Sequence, residues 1–321
     1  MPKLGLKGKV IIAILVVIIL ILIGGLFFPV PQPGIHLSAN YDDPFFKLGP
    51  IYITNTLIAS WLSILVLVGF FFFATRKMRL IPKGLQSFAE LVIEIILNFV
   101  EGVAGRENGR RFFPIVATIF LYVLMNAWLG LLPVFNVIGI AHAGTSDTLL
   151  NSFLSIFPKY SGAIIDVPIL RPANTDINIP LMLALVSFFS VEYWGITSLG
   201  FRYYLGKFFR FQQLFQGLKE LVKGKIKPAL SSILFGIIDA FVGILETLAE
   251  FVRIISFTFR LFGNMTAGEV LLLMITFLIP WVVGSLFYGL ETLLGFIQAL
   301  IFAALTLVFA TMAVSKHETE H

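Results

Sequence analysis

The sequence predicts an all-α integral membrane protein with about six transmembrane helices and one interfacial helix. The chain of 321 residues is 58% hydrophobic and only 13% charged, a balance outside the range of soluble domains. Several apolar segments are long enough to cross a bilayer, and basic clusters beside them predict which ends face the cytoplasm. Counting the crossings places both termini in the cytoplasm.

Composition also excludes several classes of function. The chain has no cysteine, which excludes disulfides, iron–sulfur clusters and thiol nucleophiles. None of its four histidines lies in a predicted helix, so no helix offers an axial haem or metal ligand. The net charge of +5 comes from lysines and arginines in predicted loops, which indicates membrane orientation and not a nucleic-acid surface. We therefore expect no metal, no cofactor and no nucleic-acid partner.

The first apolar segment, residues 10–28, follows three lysines and fits either a signal peptide or a first transmembrane helix. We favour the helix, because the segment is longer than a usual signal core and no small-residue cleavage site follows it. Residues 1–30 are then an additional N-terminal helix before a main domain of residues 31–321, with its core at residues 53–314. The next span, residues 54–74, ends at a basic cluster and is expected to run inward.

The middle of the chain alternates crossings with basic loops. Residues 85–103 are apolar with helical periodicity, but three glutamates and basic clusters at both ends predict an interfacial or shallow re-entrant helix. Residues 113–132 are expected to cross outward and residues 179–199 to cross back. The loop at residues 200–228 has seven basic residues and one acidic residue, which predicts a cytoplasmic position.

The longest apolar segment, residues 230–275, contains no proline. As one helix it is expected to be about 69 Å long, more than twice the roughly 30 Å of bilayer hydrocarbon. It therefore either tilts strongly or turns at Gly263-Asn264 into a hairpin of two short spans. Four charged residues at intervals of seven form one polar stripe and favour the tilted helix, with the stripe facing a partner or water. They are Asp239, Glu246, Arg253 and Arg260.

Arg260 lies in the middle of this apolar segment. An arginine there costs roughly 2.5–3.5 kcal/mol on insertion scales and cannot lose its charge. Asn264 lies one turn further on the same face, whereas Glu269 points to about the opposite side. Arg260 is therefore either a structural arginine paired with a neighbouring carboxylate or, as we favour, part of an ion-handling site.

The remaining polar residues of the helices have two interpretations each. Glu269 and Glu291 are either interfacial carboxylates near the outer surface or a pair that shares a proton, because adjacent carboxylates in a low dielectric cannot both ionise easily. Glu291 and Gln298 lie seven residues apart on one face of the last apolar segment, residues 281–314. Gln298 is also expected, with Asn126, to donate hydrogen bonds between helices.

Three carboxylates lie near predicted cytoplasmic helix ends. Glu246 and Glu250 either face solvent or line an ion path. Glu192 is interpreted as a solvated helix end, and the less favoured alternative is that it lines the exit of an ion path.

Four motifs together resemble subunit a of the F-type ATP synthase. FRLFGNMTAGE is followed, 29 residues after Asn264, by LLGFIQALIFAALT. LMNAWLGLLP and PANTDINIPLMLAL are similar to the third and fourth membrane segments of that family, with spacing nearest to its bacterial, cyanobacterial and chloroplast members. The resemblance covers residues 53–312. The N-terminal helix and the long basic loop depart from the family pattern.

The resemblance implies a role for individual residues. Arg260 matches the essential arginine that faces the ring of c subunits, and Asn264 is the polar residue beside it. Gln298 matches the glutamine opposite that arginine, and the last two helices are expected to form a long tilted pair packed against the c-ring. Further matches lie in the half-channels: Glu269 and Glu291 on the outer side, and Glu246 and Arg253 near the cytoplasmic exit.

The resemblance also implies the setting in which the chain works. It is expected to be a proton-translocating stator subunit, not catalytic alone, with b-type peripheral stalk subunits and the rest of the F1F0 complex as partners. Its place is then the bacterial inner (plasma) membrane or, alternatively, the thylakoid membrane. Three alternatives remain: a sodium-translocating version of the same subunit, an ion-coupled secondary transporter, and a membrane enzyme. The last two lack support, because we find no internal repeat and no nucleophile or cofactor constellation.

Overall fold

The computed structural model describes residues 46–48, 51–132, 139–140, 167–168, 171–201, 204, 206, 212–222, 226–278 and 282–315, together with residues 15, 16 and 19. The seven helices that these residues form are α1 (Asn55–Thr75), α2 (Leu85–Ala104), α3 (Arg106–Gly130), α4 (Asn178–Leu199), α5 (Gln212–Val222), α6 (Ile226–Leu278) and α7 (Val282–Val314). Two antiparallel pairs of very short strands accompany them: β1 (Phe46–Leu48) with β2 (Ile51–Ile53), and β3 (Gly139–Ile140) with β4 (Val167–Pro168).

Five of the described helices are long and apolar enough to cross a membrane: α1, α3, α4, α6 and α7. The chain is therefore an all-α integral membrane protein, as predicted. The predicted first span, residues 10–28, lies outside the described residues apart from three helical positions. The helix predicted at residues 85–103 is present as α2, which is not among the five, and its interfacial position stays a prediction.

The start of α3 was predicted wrongly. The helix begins at Arg106 and not near residue 113, and it ends at Gly130, two residues before the predicted end. The basic residues and Pro114 in these first turns suggest a loop. In the structure the turns are helical, and Arg110 Nε donates to Glu101 of α2 at 2.9 Å. Gly105, the single residue between α2 and α3, has φ +76°, a left-handed conformation that favours glycine.

The basic loop at residues 200–228 contains a helix that the sequence analysis missed. This helix, α5, packs against the first turns of α6, where a side chain at Gly217 would lie 2.8 Å from the backbone nitrogen of Ile233. Ser232 Oγ donates to Glu220 Oε2 at 3.2 Å across the same contact. Glycine is therefore required at this close approach between two helices.

The long helix α6 runs through 53 residues without a break. This confirms the prediction of one continuous helix and excludes a hairpin at Gly263-Asn264. At 1.5 Å per residue it is about 80 Å long, so its tilt in a bilayer stays a prediction that its length supports.

The chain divides into two compact units. The first consists of Met1–Met78, Leu121–Asp176 and Leu261–Leu300. Within it, Ser60 of α1 and Tyr122 of α3 share a hydrogen bond of 2.6 Å between their hydroxyl oxygens. Gly295 of α7 lies so close to α3 that an added Cβ would be 2.9 Å from Ala127 Cβ. This unit therefore joins α1, the second half of α3 and the facing parts of α6 and α7.

The second unit consists of Arg79–Phe120, Ile177–Arg260 and Ile301–His321. Its core contains aromatic pairs: Phe112 of α3 and Trp194 of α4 have ring centroids 4.5 Å apart, and Phe257 and Phe302 have centroids 4.9 Å apart. Ser187 and Thr306 share a hydrogen bond of 2.8 Å that links α4 to α7.

Candidate functional site

Two amide side chains of the first unit meet in a contact that the sequence analysis did not predict. Asn264 Nδ2 donates to Gln298 Oε1 at 2.8 Å and so connects α6 to α7. Gln298 is buried, and its Nε2 has no hydrogen-bond partner among the described residues. A buried donor of this kind is costly unless another group accepts from it, which makes the Gln298 side chain a candidate for binding a polar group.

Glu269 has a partner that the sequence analysis did not assign. Arg171 Nη2 lies 3.4 Å from Glu269 Oε2, and the two side chains are only 3% and 12% exposed. Arg171 stands just before a 3₁₀ turn (Ala173–Thr175). That turn is tied to α1 because Thr56 Oγ1 donates to Asp176 Oδ2 at 2.9 Å. The arginine is thus held next to α6 from a part of the chain 98 residues away.

Glu291 is the most buried of the predicted carboxylates, with 7% of its surface exposed. Its carboxylate lies against the Cα of Gly268, so that any side chain at Gly268 would overlap it. The structure thus brings Glu291 against the residue that precedes Glu269. A direct pair between the two carboxylates stays a prediction.

Replacing Gly268 by alanine is expected to displace the Glu291 carboxylate at a cost of about 1 kcal/mol, the low end of overpacking, because the added Cβ meets the flexible end of that side chain. Alanine otherwise favours a helix over glycine by about 1 kcal/mol. Gly69→Ala in α1 is the matched control, because nothing lies within 4 Å of its added Cβ. Thermal unfolding of the two variants in detergent should show a lower midpoint for Gly268→Ala than for Gly69→Ala, and equal midpoints would contradict the contact.

The second unit contains a cleft of about 420 Å³ beside α6. Within it, Arg253 forms an ion pair with Glu250, and its guanidinium lies 4.1 Å from the centre of the Phe309 ring. The polar side chains that line the cleft are Tyr204, Glu246, Glu250, Arg253, Ser256 and Arg260. The cleft is large enough to hold water, and its two carboxylates can exchange protons with that water while the guanidiniums stay charged.

Arg260 differs from Arg171 and Arg253 in its closest partner. Its guanidinium carbon lies 5.9 Å from the Phe257 ring centre, a distant cation–π contact. Arg171 and Arg253 each have a carboxylate within ion-pair distance, whereas no carboxylate of the described residues forms an ion pair with Arg260, although two of them line the same cleft. The structural alternative, an Arg260 paired with a neighbouring carboxylate of the bundle, therefore has no support among these residues.

Two minor predictions were wrong. Glu192 is not a solvated helix end, because one of its carboxylate oxygens is fully buried and the residue accepts a hydrogen bond from Tyr204. The donors predicted between helices were also wrong: Asn126 Nδ2 donates to the Tyr122 carbonyl of its own helix at 3.1 Å, and Gln298 accepts through Oε1 while its Nε2 has no partner among the described residues.

The chain was also compared with known proteins. A family described as ATP synthase A chain matches residues 57–311, which is most of the chain. The chain belongs to this family. Subunit a of the ATP synthase of Gloeobacter violaceus is 31% identical over 291 residues, covering 90% of this chain and 93% of its own length.

Other members of the ATP synthase A chain family are similar over nearly their whole length. Subunit a of Moorella thermoacetica is 28% identical over 85% of this chain and 96% of its own length. Subunit a of Helicobacter acinonychis is 29% identical over 85% of this chain and 95% of its own length. The predicted resemblance to subunit a, including its cyanobacterial members, is thus confirmed.

Proposed function

We propose that this chain is the stator subunit that carries protons through the membrane sector of an ATP synthase. The observation that carries the proposal is Arg260, a half-buried guanidinium in an apolar helix that forms no ion pair with a carboxylate of the described residues, although Glu246 and Glu250 line the same cleft. A cation in that setting is costly unless an anion compensates it. Membership of the ATP synthase A chain family supports a carboxylate on another subunit as that anion.

The surface of α6 supports a ring of c subunits as the partner. In the most apolar 18-residue stretch of α6, only 11% of the stretch is buried inside the protein, compared with 50% of the corresponding stretch of α3. Large apolar side chains such as Phe241, Phe251 and Phe259 are more than half exposed. A long helix with many exposed apolar side chains and Arg260 near its middle matches a ring of apolar helices that each bear a carboxylate. Peripheral stalk subunits of b type complete the proposed assembly.

The proposed proton path has two parts, which lie on either side of Arg260 along α6. On the outer side, protons enter past Glu291 and Glu269, with the amides of Asn264 and Gln298 nearby, and protonate a ring carboxylate. The neutral carboxyl group then rotates through lipid. After nearly a full turn it loses its proton to the cleft that contains Glu246, Glu250 and Arg253, which leads to the cytoplasm.

Arg260 separates the two parts in this proposal. A fixed cation favours the ionised form of a nearby carboxylate, so each ring carboxylate gives up its proton before it passes. The same cation repels a proton that would otherwise cross directly from one path to the other.

The proposal is tested by purifying the complex through a tag on this chain and reconstituting it into vesicles. We expect c and b subunits to copurify, and an imposed pH jump to drive ATP synthesis without sodium. Synthesis that requires a sodium gradient would indicate the sodium-translocating version instead. Transport by the purified chain alone, with no ring present, would favour a secondary transporter and contradict the proposal.

A further inference from the structure

A tyrosine and a glutamate outside the predicted site form a second polar contact beside the cleft. Tyr204, which follows α4, is 4% exposed, and its hydroxyl donates a hydrogen bond to Glu192 of α4. Its ring lies against Gly195, where any side chain would overlap the phenol. Tyr204 is therefore fixed by contact with α4 and by its hydrogen bond.

Tyr204 links Glu192 to the cleft. Its side chain is part of the cleft lining, together with Glu246 and Glu250. Burial, and then the negative charge of Glu192, raise the pKa of the Tyr204 phenol well above its usual range. The phenol thus stays protonated and remains a hydrogen-bond donor.

Glu192 is placed to receive a proton from that donor and to release it. One carboxylate oxygen is fully buried, but the residue as a whole is partly exposed. It lies seven residues before the end of α4 at Leu199, about 10 Å along the helix axis from the predicted cytoplasmic end. The carboxylate therefore lies beside the part of the cleft wall that Tyr204 forms.

We propose that Glu192 is a proton acceptor at the cytoplasmic end of the cleft and that Tyr204 relays protons to it. The step is a transfer along one hydrogen-bonded chain. A proton from the cleft binds the phenol oxygen while the phenol gives its own proton to the Glu192 carboxylate. The resulting carboxylic acid releases that proton to water, and both groups return to their starting states. This inference rests on the proposed function.

The competing explanation is a structural clamp in which Tyr204 only anchors the start of the basic loop to α4. Glu192→Gln separates the two, because an amide oxygen still accepts from the phenol but cannot take up a proton. Tyr204→Phe removes the relay hydroxyl and keeps the ring against Gly195. Tyr193→Phe is the control, because Tyr193 lies on the same helix and is 64% exposed.

The test uses the whole complex carrying each variant, reconstituted into vesicles, with subunit content checked by gel. We expect Glu192→Gln and Tyr204→Phe each to slow ATP synthesis after a pH jump by about tenfold. This effect is smaller than the usual loss of about 10²–10⁴-fold when a proton-transfer residue is removed. The double variant should be no slower than either single variant, since both act in one step. Tyr193→Phe should match the unmodified complex.

Normal synthesis in an assembled Glu192→Gln complex would overturn the relay, whatever Tyr204→Phe does. A loss of assembly in Tyr204→Phe with normal Glu192→Gln would establish the clamp. These outcomes are distinct from failure of the proposed function, which would appear as absent proton-driven synthesis in the unmodified complex or as full synthesis in an Arg260→Ala complex.

Discussion

Replacing Arg260 by alanine is expected to stop ATP synthesis driven by a proton gradient in complexes that still assemble. Without the cation, a protonated ring carboxylate passes the stator without losing its proton, so rotation and proton transfer become uncoupled. The electrostatic barrier between the two parts of the path also falls, and passive proton leak should rise. The loss should exceed that of any other single substitution in the proposed site.

Arg260→Lys is expected to restore little of this activity. An ammonium group is a compact point charge that can lose its proton when buried, whereas the guanidinium stays ionised and presents several donors in a plane. A purely structural arginine predicts the opposite pattern, in which alanine prevents assembly and lysine restores it.

The measurement follows ATP synthesis and passive proton leak after a pH jump in vesicles, once a gel has shown that each complex is intact. Arg253→Ala is an informative comparison, because Arg253 already has Glu250 as an ion-pair partner. Its loss should slow synthesis without raising proton leak to the level of Arg260→Ala. Normal ATP synthesis in an assembled Arg260→Ala complex would contradict the proposal that Arg260 separates the two parts of the proton path.

Replacing Glu269 by glutamine is expected to produce the second largest loss of proton-driven synthesis. An amide cannot carry a proton, and the change also removes the carboxylate beside the buried Arg171 guanidinium. Removing one partner of a buried ion pair costs about 3–5 kcal/mol, because the other charge loses its compensation. Glu291→Gln should be milder, because the neutral isostere fits against Gly268 and leaves no charge uncompensated.

Arg171→Gln distinguishes loss of stability from loss of the proton path. Combined with Glu269→Gln, it makes the site neutral, so the double variant should regain much of the thermal stability that Glu269→Gln loses. Proton-driven synthesis should remain low, because the carboxylate is still absent. Recovery of both quantities together would show that Glu269 acts only as the partner of Arg171.

The sequence predicted the helices well where a single local pattern decided them. An apolar segment without proline and with charges every seven residues was enough to predict α6 as one helix. The start of α3 was missed because Arg110, Arg111 and Pro114 suggest a loop, and only contact with Glu101 shows why the turns are helical. The pattern of Leu214, Leu218 and Leu221 at helical spacing was the signal for α5 within the basic loop.

The site was predictable only in part. Arg260, Asn264 and Gln298 were identified from motif and spacing, and the Asn264–Gln298 hydrogen bond agrees with their expected faces. The Arg171–Glu269 pair joins residues 98 positions apart, and no periodicity along one helix reports such a contact. Gly268 and Tyr204 were missed for the same reason, since their importance depends on what packs against them.

The lack of an ion-pair partner for Arg260 among the described residues also affects the membrane before assembly. In a bilayer without the ring, the guanidinium is expected to draw water and lipid headgroups toward the hydrocarbon and to thin the leaflet beside α6. Binding of the ring would replace this deformation with a charged partner. The relief, up to about 2.5–3.5 kcal/mol on insertion scales, would favour capture of the subunit by the ring. Arg260, which is proposed to control proton transfer, would thereby also make the unassembled subunit less stable in the membrane than the subunit bound to the ring.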